Sequence, residues 1–267
     1  MNQIVFSDVD GTLLNDHHEI TFLTRKAILE LESKKIPFVI VSARSPSGIL
    51  SILKKYNIKG TIIAYSGALI IDSKLDIIYT QSMNVNYAVN IIKYLEKEHF
   101  DLSWCVYSFD QWLVKNCNDS RIQNEENIVK VKSQQTTIDQ LSQLTAIHKI
   151  LCICNPEKTL SIKEKIQSHF NNCTITQSSN NLIEIMDQNV NKGTAIKKLC
   201  ELWQIPLDNT IAFGDQYNDL EMLRIVKYGY AMENAPKNIQ DQVKRVTLDN
   251  NHDGIYHALL KLKIIEK

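Results

Sequence analysis

Short apolar runs that stop abruptly at polar residues, separated by stretches with helical spacing, set the rhythm of the N-terminal third of the chain. Ile4-Val5-Phe6 ends at acidic residues and a glycine, as a buried strand does. Thr21 then stands where a helix cap belongs, ahead of Leu23, Ala27, Ile28 and Leu31 at helical intervals. Phe38 to Val41 predicts a second strand. Ser45-Pro46 opens a further helix, with proline in its first turn and Ile49, Leu50 and Leu53 turned inward. Thr61 to Ala64 predicts a third strand. Strands and helices alternating in this way imply right-handed crossovers and a parallel sheet. Leu69 to Ile71 and Ile77 to Tyr79, around Asp72-Ser73-Lys74, predict a hairpin.

The same grammar returns near the C-terminus. Lys192 to Trp203 predicts a helix, Thr210 to Phe213 a strand ending at Gly214-Asp215, Leu220 to Val226 a helix, Tyr228 to Met232 a strand, and Pro236 the start of another helix. Between these ends the pattern changes. Helical segments (Tyr87 to Glu98, Pro156 to Phe170) mix with alternating runs such as Trp112 to Val114 and His148 to Cys152, and Asn180-Asn181 reads as a hairpin turn. Such mixing suits an α+β module with an open antiparallel sheet. The expected architecture is α/β: a Rossmann-like parallel-sheet core from residues 1–81 and 187–267, with an α+β cap inserted as residues 82–186.

Composition narrows the function. The 267 residues are 44% apolar and 22% charged, an ordinary balance for a folded domain. Thirty basic and thirty acidic side chains cancel, and no long basic run marks a nucleic-acid or membrane surface. The apolar runs are too short to span a bilayer, and Met1 leads directly into a strand without a signal-peptide pattern, so the expectation is a cytoplasmic protein. The six cysteines lack zinc spacing, and Cys152 and Cys154 read as buried thiols on one strand face. Trp104, Trp112 and Trp203 read as packing residues.

Chemistry gathers where strands end, which is where open parallel sheets bind ligands. The first strand runs into Asp8-Val9-Asp10-Gly11-Thr12, the second into Ser42-Ala43-Arg44, the third into Ser66-Gly67-Ala68. Asn191-Lys192-Gly193 opens a helix, and Gly214-Asp215-Gln216-Tyr217-Asn218-Asp219 follows a later strand. Four of only eight glycines (Gly11, Gly67, Gly193, Gly214) fall in these segments, which argues against coincidence. Paired carboxylates repel unless a cation, a proton or hydrogen bonds relieve them. Carboxylates with a lysine, a hydroxyl and an arginine suit magnesium and a phosphate, which is the composition of a phosphoryl-transfer site.

These motifs, in this order, resemble the haloacid dehalogenase superfamily, and within it the Cof-type phosphatases with a large α/β cap. The segments Ala231-Met232-Glu233-Asn234-Ala235 and Asp253-Gly254-Ile255 add to the likeness, which spans essentially the whole chain. The second motif reads Ser42-Ala43-Arg44 where the family usually has Thr-Gly-Arg, Ser66 stands for a usual asparagine, and Glu233 for a usual glycine. The resemblance implies that Asp8 is the nucleophile and Asp10 the acid/base. It implies that Asp8, the Asp10 main-chain carbonyl, Asp215 and Asp219 hold Mg2+. Gly11, Ser42, Ala43, Arg44, Lys192 and Asn218 are then the substrate and phosphate side. The implied activity is hydrolysis of a small phosphate ester, a sugar phosphate or a cofactor phosphate, by a monomer or homodimer without nucleic-acid or membrane partners. The alternatives are a phosphomutase or phosphotransferase using the same aspartyl-phosphate, and a non-catalytic phosphometabolite-binding protein.

Overall fold

The structure, a computed structural model, describes residues 3–267. The first stretch runs β1 (Ile4–Ser7), α1 (Phe22–Ser33), β2 (Phe38–Val41), α2 (Pro46–Lys55), β3 (Ile62–Ala64), β4 (Leu69–Ile71) and β5 (Ile77–Thr80). The middle contains α3 (Val85–Lys97), β6 (Leu102–Ser108), β7 (Gln111–Val114), α4 (Ser120–Val129), β8 (Gln134–Gln135) and α5 (Ile138–Leu141), then β9 (Lys149–Cys154), α6 (Thr159–His169), β10 (Cys173–Ser179) and β11 (Leu182–Asp187). The chain closes with α7 (Lys192–Trp203), β12 (Thr210–Gly214), α8 (Leu220–Ile225), β13 (Tyr228–Ala231), α9 (Lys237–Gln240) and α10 (Gly254–Lys261). Among the described residues no helix is long and apolar enough to cross a membrane.

These elements form two compact units. One takes the chain up to Arg44 together with Ile49–Ile78 and Asn191–Lys267; the other takes Ser45–Gly48 and Tyr79–Val190. The first is built on a seven-stranded sheet of order β13-β12-β1-β2-β3-β4-β5. From β13 to β3 neighbours run parallel, and β4 turns antiparallel to β3. Ile4, Val5, Phe6, Val39, Val41, Ile62 and Ile63 are fully buried, as strands covered on both faces require. The β1-to-β2 and β12-to-β13 connections move in opposite directions, so right-handed crossovers place α1 and α8 on opposite faces. The order reverses between β1 and β12, the kind of switch point beyond whose carboxyl ends open α/β sheets bind ligands.

Thr21 occupies the position before α1, but its hydroxyl makes no capping bond. The cap comes from the other end of the chain. The Asp253 carboxylate accepts from the Thr24 amide at 3.0 Å and the Thr24 hydroxyl at 3.2 Å, and the Thr21 hydroxyl donates to it as well. A carboxylate at a helix N-terminus satisfies orphan amides and the positive end of the dipole together. Asp253-Gly254-Ile255 therefore joins α10 to α1.

The second unit is a six-stranded sheet of order β10-β11-β9-β6-β7-β8, antiparallel except where β8 joins β7. Asn180-Asn181 forms the turn between β10 and β11, as expected. One sheet face supplies Trp104, Val106, Leu113, Ile150, Cys152, Ile183 and Ile185 to a core completed by α3 (Ala88, Ile91, Ile92, Leu95) and α6 (Ile162, Ile166). Asn84 caps α3, accepting from the Tyr87 amide at 3.1 Å.

Candidate active site

Where β1 ends, the Asp8 amide still donates to the Phe213 carbonyl of β12 at 3.0 Å, so the two strand exits stay in register. The chain then folds into a tight loop in which the Val9 carbonyl accepts from the amides of Leu13 and Leu14. Gly11 takes a left-handed φ of +77° here, and a Cβ at this position would lie 2.4 Å from Asp215 Oδ2. No other residue allows both that backbone and that approach. Asn234 holds the loop by donating to the Gly11 carbonyl at 2.8 Å.

Beyond β12, Asp219 folds back over the chain. Its Oδ2 accepts from the amides of Asp215 and Gln216, each at 2.9 Å. A Cβ on Gly214 would sit 2.5 Å from the Asp219 Cβ, so glycine is needed for this closure. Asp215 is oriented by Thr12, whose hydroxyl donates to Oδ1 at 2.7 Å, and by Gln216, whose amide donates to Oδ2 at 2.9 Å. Lys192 is the first residue of α7, behind an Asn191–Thr194 capping box that fixes where the helix begins. Its ammonium is 1% exposed and donates to Asp8 Oδ1 and Asp219 Oδ1, each at 2.6 Å.

Asp8, Asp215 and Asp219 are all buried and offer oxygens within 4.8 Å of one another. One lysine answers three carboxylates. Burial pushes the Asp8 carboxyl up to about 8 against the pull of Lys192, with Asp219 and Asp215 adding to the rise. Burial likewise raises Asp215, though the Thr12 hydroxyl works against it. Burial alone would depress the Lys192 ammonium, but Asp219 and Asp8 outweigh it and hold the group above its usual range. The site carries surplus negative charge on hard oxygen donors.

The remaining sequence-derived residues lie around this centre with different partners. The Asp10 side chain is half exposed and stands outside the buried trio. Arg44 grips it through both arms, Nε to Oδ2 at 2.8 Å and Nη2 to Oδ1 at 2.6 Å. Ser42 is buried and its hydroxyl accepts from the Arg44 amide at 3.2 Å, while Ala43 is half-buried. Asn218 is exposed on the 3-10 turn Tyr217–Asp219. Tyr65 and Ser66 precede Gly67 with φ near +50°, held by the carbonyls of Arg44 and Ser42. Consecutive left-handed non-glycine residues mark a site that constrains its backbone. Thr12, Gln216 and Asn234 hold the site without having been assigned to it from sequence. Thr12 sits inside the Asp8 motif, but its partner lies 203 residues away.

Residues 5–259 match the family model of haloacid dehalogenase-like hydrolases. The chain belongs to that family. A putative phosphatase of Haemophilus influenzae is 33% identical over 255 residues, 96% of both chains. A crystal structure from Thermotoga maritima superposes with a TM-score of 0.89 at 28% identity, over 100% of this chain and 98% of that one. A subclass IIB sugar phosphatase of the superfamily shares the fold at 21% identity, with a TM-score of 0.84 over 99% of this chain and all of the other. This haloacid dehalogenase-like hydrolase is therefore an enzyme of the phosphatase type on a Cof-type fold, a parallel-sheet core with an α+β insert.

Proposed function

We propose that the chain is a Mg2+-dependent phosphomonoester hydrolase that acts on a small phosphorylated metabolite through an aspartyl-phosphate on Asp8. The observation that carries this reading is the buried Asp8–Lys192–Asp219 bridge beside Asp215, a nucleophile and a cation site in one cluster. Three oxygen donors with surplus charge and a Asp8 carboxyl raised by burial fit a hard divalent cation. Asp8, Asp215 and the Asp10 main-chain carbonyl would hold Mg2+, with Asp219 behind them, and the bound ion supplies positive charge against the phosphoryl oxygens. Asp219 already spends both oxygens on Lys192 and two amides, so it supports the site rather than opening it.

Lys192 holds Asp8 Oδ1, which leaves Oδ2 to attack phosphorus. As that bond forms, the bond from phosphorus to the leaving oxygen breaks, and Asp10 gives the oxygen its proton. Asp10 then takes a proton from the water that cleaves the aspartyl-phosphate, releasing inorganic phosphate. To serve the leaving oxygen, Asp10 leaves the Arg44 fork and carries its proton there as the carboxylic acid; Arg44, freed, matches a phosphate oxygen pair. Ser42 and Asn218 complete the phosphate side, and the insert of residues 82–186 acts as the cap that reads the leaving group.

Phosphate release from an aryl phosphate and from a panel of phosphometabolites, with Mg2+ and with chelator, tests the proposal. Release should require the metal and fall by at least about three orders of magnitude in Asp8→Asn, which removes the nucleophile at constant volume. Substantial turnover in that variant would sink the covalent mechanism. New phosphosugar in place of inorganic phosphate would favour transfer over hydrolysis.

A further inference from the structure

The parallel sheet has a second concave surface, at the amino ends of its strands. Phe38 is the first residue of β2, and Ile58 leads towards β3; both line a cavity of about 400 Å3. Trp203, the last residue of α7, lines it too. The Asp8 and Ser42 segments follow the carboxyl ends of β1 and β2, so the cavity and the phosphate centre lie at opposite ends of the same strands. All of its lining residues belong to the first compact unit. Small-molecule pockets run from about 300 to 1,000 Å3 and combine apolar walls with a few placed polar groups.

The polar groups here are charges: Glu32, Lys35, Lys59 and Asp72, two of each sign. Charges close by find partners, since Lys34 bridges Glu30 at 2.7 Å and Lys55 reaches Glu19 at 3.7 Å. The four at the cavity form no ion pair among the described residues. Two of them are fixed by the backbone. Lys35 leaves α1 with a left-handed φ of +57°, at a position where a helix end favours glycine. Asp72 is half-buried, and its Oδ1 accepts from the amides of Lys74 at 2.8 Å and Asp76 at 3.0 Å. Its Oδ2 keeps no partner among the described residues.

We infer that this cavity binds an aromatic α-amino acid, at a site distinct from the phosphate centre. The ligand carboxylate answers Lys35 and Lys59, its ammonium answers Asp72 and Glu32, and its ring packs on Trp203 and Phe38. Charge balance decides the class. A phosphate ester would bring its negative charge against two carboxylates as well as two ammonium groups, and a simple amine would meet the reverse. A zwitterion serves both signs at once. The inference does not depend on the hydrolase reading.

The test is calorimetric titration of the full chain with L-phenylalanine, with phenethylamine, which lacks the carboxylate, and with hydrocinnamate, which lacks the ammonium. The expected result is saturable binding of L-phenylalanine, at least about tenfold tighter than either analogue. Lys59→Met should abolish the preference over phenethylamine, and Asp72→Asn the preference over hydrocinnamate, while Trp203→Ala weakens all three ligands. Substitutions at such surface positions leave the fold in place, and a general loss of packing would not split the two preferences. Asp8→Asn should bind L-phenylalanine as the wild type does. No saturable binding at millimolar L-phenylalanine, equal affinity for the three ligands, or preferences unchanged in the variants would each overturn the inference. Binding that depends on Asp8 would place the ligand at the phosphate centre and overturn it as well.

Discussion

The two sheets bury titratable groups in opposite ways. In the parallel sheet they lie beyond strand ends, where Asp8, Asp215 and Asp219 meet Lys192, backbone amides and the Thr12 hydroxyl. In the antiparallel sheet they lie within or beside the strands, and burial holds most of them neutral. The Cys105 and Cys154 thiols are pushed up to about 12, and the His148 imidazole down to about 4. Lys149 and Glu184, 3.2 Å apart, form a buried pair within that sheet. Strand ends can gather charge because loops bring amides and side chains to satisfy it; strand interiors have spent their backbone groups on the ladder, so a charge there must find a side chain.

Lys192→Met should be the most damaging change to stability, because it leaves two buried carboxylates without their cation. Loss of one partner from a buried pair costs about 3–5 kcal/mol, and denaturant unfolding in chelator should show it, with Mg2+ restoring part. A loss below about 1 kcal/mol would mean that the strand-end site does not depend on charge compensation.

His148 tests the other strategy. It is fully buried, its Nδ1 accepts from the Phe109 amide at 3.0 Å, and its Nε2 meets the Thr80 hydroxyl at 2.9 Å. A ring accepting at Nδ1 carries its proton on Nε2 and is neutral. Because its folded value of about 4 lies below the ordinary 6.5, the unfolded chain binds the extra proton first. The stabilisation is complete above pH 6.5 and is lost as pH falls towards 4, by roughly 3 kcal/mol. Comparing unfolding of wild type and His148→Gln across that range isolates the effect; parallel pH curves would mean that the imidazole is not held neutral.

Asp253→Ala should cost least, about 1 kcal/mol, by removing the cap of α1. Thermal unfolding measures it, and Thr21→Val should cost less, since the Thr21 hydroxyl makes no capping bond of its own.

Much of the site was readable in the chain. The Asp8, Lys192 and Asp215–Asp219 segments fall at strand exits and at a helix start that local hydrophobic spacing reveals, and these converge in the structure. Local pattern suffices there because a parallel sheet sends every strand exit to the same edge. The partner of each side chain was another matter. Arg44 reads from its motif as a phosphate ligand, yet in the structure it grips Asp10. Thr21 looks like the cap of α1, and Asp253, 232 residues away, provides it. The Lys149–Glu184 pair left no motif, since its members lie 35 residues apart on strands joined only through register.

Periodicity, turn residues and strand-exit motifs thus carried the α/β fold and the carboxylate–lysine chemistry, because each depends on a few consecutive residues. Strand order and register settled which arginine meets which carboxylate, which end of the chain caps α1, and which charges lie buried in mid-sheet. Those are choices among distant partners, and several are equally compatible with any local stretch until the backbone is closed around them.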